Sequence, residues 1–137
     1  MSGVLEKVLI LADASLFTGL SGEELYPVAE LAETIDLAAG DTVVRQGDPG
    51  DALFVVARGA LHVLRDGARV RDLGPGAVFG EMALLDGAPR AATVAAAGAA
   101  QVLRIPRAEF EALLDESPEL ARGVIRTLLG HLRASSA

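Results

Sequence analysis

Short apolar runs alternate with glycine turns through the centre of this chain of 137 residues, and that alternation restricts its fold more than any other feature. The separating glycines are Gly40, Gly47, Gly50, Gly59, Gly67, Gly74, Gly76, Gly87 and Gly98. Short strands at such regular spacing are typical of an all-β sandwich or barrel. The pattern predicts strands at about 33–38, 42–46, 52–57, 60–65, 69–73, 77–79, 91–97 and 100–105. The Asp66-Gly67 pair predicts a tight hairpin between two of them.

Helices are predicted before this β region. Residues 4–12 form an apolar segment with more apolar surface than one amphipathic face would bury, so it either packs on the last helix or marks an interface. Ser21 and Glu24 have the spacing of a capping box, with Leu20 and Leu25 placed as a hydrophobic staple. Pro27 lies inside the resulting helix and predicts a kink or a delayed start.

Two more helices are predicted after the β region. Pro106 suits a first helical position, and the Ser117-Pro118 pair begins the last helix. The last helix carries two adjacent apolar rows, which are Leu120, Val124, Leu128 and Leu132, and Ala121, Ile125 and Leu129. This stripe is wide enough for one contact to the β region and another to a partner or ligand.

Composition excludes several classes of function. The net charge of −7 lacks the basic excess of a free-standing nucleic-acid binder. No cysteine is present, so disulfides, thiolate metal sites and iron–sulfur ligation are excluded. No apolar run approaches the roughly 18 residues of a membrane span, and no secretory signal is apparent, so we expect a cytoplasmic protein without a membrane partner.

The segment 79–94 carries the chemistry. Within an otherwise apolar stretch it holds Glu81, a second acidic residue at Asp86, and one basic residue, Arg90. A short helix begun at Gly80 would leave backbone N–H groups unpaired at a positive dipole end, which suits a phosphate. Arg90 can bind two phosphate oxygens at once, and ionised Glu81 can only accept hydrogen bonds, as from a ribose hydroxyl. A ligand with one phosphate and one free ribose hydroxyl fits both.

This segment resembles the phosphate-binding cassette of the cyclic nucleotide-binding domain family, ungapped along its length. The stretch from Gln46 to Val63 resembles the same family's upstream signature, and Leu16 to Ser21 resembles its N-terminal segment. The resemblance implies an eight-stranded double-stranded β-helix, or jelly roll, with N-terminal helices, a short cassette helix and C-terminal helices. We therefore expect a single domain over 1–137, with a helical segment 1–32, a jelly roll 33–105 and C-terminal helices 106–133.

The resemblance also implies roles for individual residues. Arg90 would pair with the exocyclic phosphate oxygens, and Glu81 with the carbonyl of Gly80 would receive the ribose 2′-hydroxyl. Backbone N–H groups of Met82, Ala83 and Ala91 would help hold the phosphate. In cGMP-selective members the residue after the cassette arginine is often threonine, so Ala91 favours cAMP. No cofactor or metal is expected beside this regulatory ligand.

The expected function is a regulatory domain that binds cAMP, does not catalyse and transmits binding through its C-terminal helices. The alternative is a non-binding family member that acts as a protein-interaction module, or a regulatory domain cut from a larger protein. Either view allows a homodimer, or a fused or separate partner protein, that binds through the N-terminal and C-terminal helices. The helix-turn-helix of the family's transcription factors is not found in the sequence, so we expect no DNA binding by this domain alone. A metal-dependent cupin would need clustered histidines, whereas His62 and His131 are far apart.

Overall fold

The structure, a computed structural model, describes residues 3–81 and 88–135. Two helices come first, α1 (Val4–Ala12) and α2 (Gly22–Leu31). Eight strands follow: β1 (Glu33–Leu37), β2 (Thr42–Val44), β3 (Ala52–Arg58), β4 (Leu61–Arg65), β5 (Ala68–Leu73), β6 (Val78–Phe79), β7 (Thr93–Ala96) and β8 (Ala100–Pro106). The described chain ends with α3 (Arg107–Glu116) and α4 (Pro118–Ser135). All eight strands lie within a few residues of the predicted positions.

The strands form two four-stranded antiparallel sheets, with the orders β1-β8-β3-β6 and β2-β7-β4-β5. Strands that are distant in sequence are neighbours in both sheets, as in β1 with β8 and β2 with β7. This is the predicted jelly-roll class of fold, mainly β with flanking helices.

Strand β3 separates two apolar cores because its side chains alternate between the faces of its sheet. Leu53 and Val55 pack with the helices, whereas Phe54 and Val56 pack inside the roll. Because both faces of β3 are covered, five consecutive residues from Ala52 are buried. The helices therefore pack on the outside of the same strand whose inner face contributes to the interior of the roll.

The N-terminal helices follow the predicted local signals. The Ser21 side chain accepts from the Glu24 N–H, and the Glu24 carboxylate accepts from the Ser21 N–H, completing the capping box. Leu20 and Leu25 are both buried in the helical core, as a staple requires. The predicted delay at Pro27 is wrong, because this cap starts α2 at Gly22 with Pro27 in its interior.

The C-terminal helices differ from the prediction at the start of α3. Pro106 is the N-cap of α3, not its first helical residue, because it still pairs with Ala52 as the last residue of β8 and keeps an extended ψ of 134°. The last helix begins at the predicted Ser117-Pro118 pair, since α3 ends at Glu116 and α4 begins at Pro118, with only Ser117 between them. The Ser117 hydroxyl accepts from the Leu120 N–H at 3.3 Å and caps α4.

Apolar side chains remain exposed on the outer helices. Leu5 and Leu9 of α1 are 74% and 70% exposed, and α1 packs mainly on α2. In α4 one row is buried through Leu120 and Val124, whereas Ile125 of the second row is 54% exposed. Throughout the residues that the structure describes, no helix is long and apolar enough to cross a membrane.

Candidate functional site

Arg90 is a buried cation held beside an aromatic pair. Its residue surface is only 7% exposed. The guanidinium carbon lies 5.6 Å from the centroid of the Phe54 ring, within the range of a cation–π contact. Phe54 in turn stacks on Phe79, with centroids 5.0 Å apart, because β3 and β6 place the two residues opposite each other. The sheet thus supplies a platform for Arg90.

The backbone of Arg90 is fixed by the loop after β2. The Gly47 N–H donates to the Arg90 carbonyl at 2.9 Å, and the Arg90 N–H donates to the Asp48 carbonyl at 2.8 Å. Gly47 has a φ of +89°, a conformation that glycine adopts without penalty. Residues from the upstream signature therefore position the cassette arginine.

Asp51 is the one charged partner of Arg90 among the described residues. Its carboxylate accepts from Arg90 Nη2 at 3.4 Å and from Arg104 Nη2 at 3.4 Å. Both contacts are long, and the Asp51 side chain is 72% exposed, so this carboxylate only partly compensates the buried charge. Burial lowers the pKa of Arg90, while Asp51 acts in the opposite direction. Arg90 remains cationic, since arginine does not lose its proton in proteins at ordinary pH.

Gly80 is required by both conformation and space. Its φ is +83°, and a β-carbon at this position would lie 2.5 Å from Arg90 Nη1 and 3.0 Å from the carbonyl oxygen of Ala52. A larger residue would displace the guanidinium. Gly80 therefore permits Arg90 to lie against the chain at the start of the cassette.

Two buried polar atoms at this place have no hydrogen-bond partner in the part of the chain that the structure describes. They are Glu81 Oε2, an acceptor, and Arg90 Nη1, a donor. Buried polar groups are paired in the great majority of cases, and an unpaired one costs about 1–3 kcal/mol. Two such atoms of opposite hydrogen-bonding character in one place point to a ligand that supplies both an acceptor and a donor.

Glu81 and Arg90 line the same cavity, whose volume is about 160 Å³. The β4–β5 hairpin also contributes to the lining, through residues that include Arg65 and Arg71. The complete lining is Val44, Val63, Arg65, Arg71, Phe79, Gly80, Glu81, Pro89, Arg90, Ala91, Ala92 and Val94. Of the predicted site residues, the structure therefore brings Gly80, Glu81, Arg90 and Ala91 together.

The remaining predicted residues, Met82 and Ala83, lie outside the described residues, as does the rest of the predicted cassette helix. Sequence reasoning missed Arg65 and Arg71. A signal for Arg71 exists, because it precedes buried Leu73 by two residues and pairs with buried Val63. Strand alternation would have placed it on the inner face.

A larger groove of about 450 Å³ is also lined by Arg90 and is bordered by β1 and β2. Its floor is apolar through Ile35, Leu37 and Val43, and its charged rim includes Asp51 and Arg104. Those two rim residues are already paired with each other, and Arg104 Nη1 also donates to Glu33. The smaller cavity is the better candidate because Gly80 and Glu81 of the cassette line it together with Arg90.

His62, the histidine of the β region, lies away from this cavity wall. Its Nδ1 atom is 2.7 Å from Asp72, whose other carboxylate oxygen pairs with Arg69. Over residues 3–81 and 88–135 no group of three or more histidine, cysteine, aspartate or glutamate side chains could hold a metal ion.

The fold and the cassette define a class of protein. The sequence matches the family described as the cyclic nucleotide-binding domain over residues 34–117, which is more than half of the chain. The chain belongs to the cyclic nucleotide-binding domain family.

Similar proteins place this domain in several contexts. A cyclic nucleotide-gated potassium channel of Mesorhizobium japonicum is 36% identical over 128 residues, covering 93% of this chain and 36% of the channel. The crystal structure of the N-terminal domain of a transcriptional regulator from Streptomyces coelicolor A3(2) superposes with a TM-score of 0.81 at 31% identity, covering 92% of this chain and 94% of that one. The regulatory domain of Toxoplasma gondii PKA, crystallised with cAMP, gives a TM-score of 0.72 at 36% identity, covering 82% and 45%. The chain thus spans about a third of the length of the channel.

Proposed function

We propose that this chain is a regulatory domain that binds a cyclic nucleotide, cAMP, in the 160 Å³ cavity and does not itself catalyse a reaction. The observation that carries the proposal is the pair of buried, unpartnered atoms, Glu81 Oε2 and Arg90 Nη1. A cyclic nucleotide presents an anionic phosphate to Arg90 and a ribose hydroxyl to Glu81, which would satisfy both atoms. The Toxoplasma gondii relative crystallised with cAMP supports this choice of ligand.

Each side chain has a distinct role in this proposal. Arg90 would donate to the phosphate oxygens, and its charge would be compensated by the ligand better than by distant Asp51. Glu81 and the Gly80 carbonyl would accept from the 2′-hydroxyl. The N–H groups of Met82, Ala83 and Ala91 are proposed as further phosphate donors.

The size of the cavity decides how much of the nucleotide it encloses. Its volume of about 160 Å³ is below the roughly 300–1,000 Å³ usual for small-molecule sites. The phosphate and ribose would therefore lie against the cassette, and the base would extend along the β4–β5 hairpin toward the rim.

Calorimetric titration with cAMP tests the site. We expect Arg90→Ala to lower affinity at least tenfold, because a charge-assisted contact contributes about 1.5–3 kcal/mol. The melting temperature of the unliganded protein should change little, because the ion pair that the substitution removes, between Arg90 and the exposed Asp51 carboxylate, is long at 3.4 Å and contributes little stability.

Arg104→Ala is the matched control, since Arg104 contacts the same Asp51 carboxylate at the same 3.4 Å distance but lines only the larger groove. Affinity within about twofold of the parent is expected for it. An Arg90→Ala protein that binds like the parent would refute the site, and equal losses in both variants would place the ligand in the larger groove. Absence of binding by the parent would favour the interaction-module alternative.

cGMP is the second candidate ligand, and one observation favours it. The side chains of Arg65 and Arg71 line the cavity, and neither side chain makes a hydrogen bond or ion pair with another residue that the structure describes. A guanidinium can donate to both O6 and N7 of guanine, whereas adenine offers N7 beside an amino donor. Ala91, which lacks a hydroxyl, favours cAMP as proposed above.

Competition binding with both nucleotides separates these preferences. We expect the parent to prefer cAMP and Ala91→Thr to raise cGMP affinity more than cAMP affinity. If the parent prefers cGMP and Arg71→Ala removes that preference, guanine is the natural base.

We also propose that binding is transmitted through α3 and α4. Ligand shifts an equilibrium only through its different affinity for two states. The paired strands are a poor two-state element, whereas α4 is buried along Val124 and leaves Ile125 and Leu129 exposed for exchange of contacts. Hydrogen exchange with and without cAMP should change over residues 118–133 as well as in the cassette. Change confined to the cassette would mean binding without this switch.

A further inference from the structure

The side chain of Gln46 makes a two-bond contact with the tip of the β4–β5 hairpin. Its Nε2 donates to Asp66 Oδ1 at 2.9 Å, and its Oε1 accepts from the Asp66 N–H at 2.8 Å. The Gln46 N–H donates to Thr93 Oγ1 at 2.9 Å, which ties the same residue to the start of β7. Gln46 is therefore hydrogen-bonded through its backbone to Thr93 and through its side chain to Asp66.

This contact joins two walls of the proposed ligand cavity. On one side, Gln46 directly precedes Gly47 and Asp48, whose backbones hold Arg90. On the other side, Asp66 directly follows Arg65, which lines the cavity from the hairpin. Strand β4 is fixed by its pairing with β7 as far as Leu64, and beyond that point the Gln46 side chain links the hairpin tip to the loop that holds Arg90.

Few other interactions fix the hairpin tip. Strand β5 is at the edge of its sheet and pairs only with β4. Five of its six residues are exposed, so packing contributes little to its position. Asp66 has a φ of 53°, the only non-glycine residue in the described ranges with a positive φ, and aspartate and asparagine are the side chains that tolerate this region best. The turn is thus kept in a form that presents both the N–H and the carboxylate of Asp66 to Gln46.

We propose that Gln46 is a positioning residue for ligand binding, which holds the β4–β5 hairpin closed over the cavity and so slows release of the nucleotide. The inference rests on the proposed function, because it assigns Gln46 to the same cavity. Gln46 does not line the cavity itself, and it acts on the ligand through the hairpin and through the Arg90 loop.

The test uses variants in which the amide of Gln46 and the carboxylate of Asp66 are replaced or swapped between the two positions. Gln46→Glu places a carboxylate against Asp66 and removes the amide donor. In the double variant Gln46→Glu/Asp66→Asn, the amide introduced on the hairpin would donate to the carboxylate introduced on the loop, which restores the side-chain bond in the opposite direction. The backbone N–H of residue 66 would still donate to the side chain of residue 46, and the net charge is unchanged. Gln46→Ala removes both bonds without adding charge, so it separates loss of the contact from repulsion of the phosphate.

Gln101→Glu is the matched control. Gln101 Nε2 donates to Asp36 Oδ1 at 2.8 Å, which is also an exposed bond between side chains, but it joins β8 to β1 and lies outside the cavity lining. The measurements are the dissociation rate of a fluorescent cAMP derivative from the full chain, and hydrogen exchange of the unliganded hairpin amides 64–68.

We expect Gln46→Ala and Gln46→Glu to speed dissociation about fivefold or more and to speed hairpin exchange. The double variant should return the dissociation rate to within about twofold of the parent, and Gln101→Glu should not differ from it. Parent-like dissociation in Gln46→Ala, or failure of the double variant to rescue Gln46→Glu, overturns the inference. If the parent fails to bind cAMP, the proposed function is wrong, and hairpin exchange alone then decides whether Gln46 holds the hairpin: unchanged exchange in Gln46→Ala refutes it.

Discussion

The two faces of β3 border regions of opposite character. On the outer face Leu53 and Val55 join a cluster with Phe17 and Phe110, and those four side chains are fully buried and apolar. On the inner face, the apolar core between the sheets extends to Phe79, which also lines the cavity. Glu81 Oε2 and Arg90 Nη1, from residues that line the same cavity, are buried without a partner among the described residues. The helical core thus leaves nothing for a ligand to satisfy, whereas the cavity end of the roll leaves both a donor and an acceptor.

Because of this difference, one region of the domain mainly supports stability and the other mainly supports ligand binding. Apolar burial supplies most of the favourable free energy of folding, at roughly 25 cal/mol per Å² of area removed from water. Unpaired buried polar groups act against folding and become favourable only when a ligand completes them. Substitutions in the helical core should therefore change unfolding more than affinity, and substitutions at the cavity should change affinity more than unfolding.

The largest effect is expected for Phe110→Ala in the helical core. Phe110 is fully buried, and its ring meets that of Phe17 edge to face at 6.0 Å. Removal of a buried phenylalanine ring costs about 3–5 kcal/mol of unfolding free energy, because the cavity left behind collapses only in part. Urea denaturation measures this loss, while cAMP affinity measured on the protein that remains folded should stay near that of the parent. A tenfold loss of affinity together with an intact fold would remove the separation between the two regions.

A smaller effect, at the boundary of the two regions, is expected for Gly80→Ala. A positive φ costs a non-glycine residue about 1–2 kcal/mol, and the new methyl group would also displace Arg90, which lies within 2.5 Å of its position. Both stability and cAMP affinity should fall.

Gly40→Ala is the control, because Gly40 has a φ of +87° with nothing within 4 Å of an added β-carbon. It should lose similar stability and keep its affinity. Parent-like cAMP binding by Gly80→Ala would show that the position of Arg90 does not depend on this close approach.

Local signals in the sequence predicted most of the fold. The Asp66-Gly67 hairpin, the Ser21–Glu24 capping box and the eight strands depend on neighbouring residues, and their patterns are readable without a structure. Pro106 was misplaced because its conformation is set by Ala52, which lies more than fifty residues away on β3. Long-range pairing overrode the local preference of proline for the first helical turn.

The candidate site was predicted in part. Glu81 and Arg90 stand out as charges in an apolar run, and the structure brings them to one cavity, although their roles stay predictions. The aromatic support of Arg90 was not foreseen, because the stacking of Phe54 on Phe79 depends on the register of β3 with β6. Gln46 was seen only as part of a family signature. Its partner lies twenty residues away, and only the folded hairpin brings the two together.

The smallest effect is expected when the pH is lowered and Glu24, in the capping box of α2, becomes protonated. Because this residue lies in the helical region, it tests whether stability there can change without a change in ligand affinity. Hydrogen bonds from the Ser21 backbone and then its side chain lower the pKa of Glu24 below its ordinary value of 4.5. A carboxyl whose pKa is lowered on folding stabilises the protein above its unfolded value, and this contribution is lost as the pH falls through the lower folded value. In Glu24→Gln the capping bond can persist without the charge.

We therefore expect the Glu24→Gln variant to melt slightly below the parent at pH 7. The difference should disappear as the pH falls from about 5 through 4.5 and below. The affinity for cAMP at pH 7 should be the same in both proteins. Thermal melting of the two proteins across this range measures the effect. A difference that persists unchanged down to pH 3 would show that ionised Glu24 does not stabilise the cap.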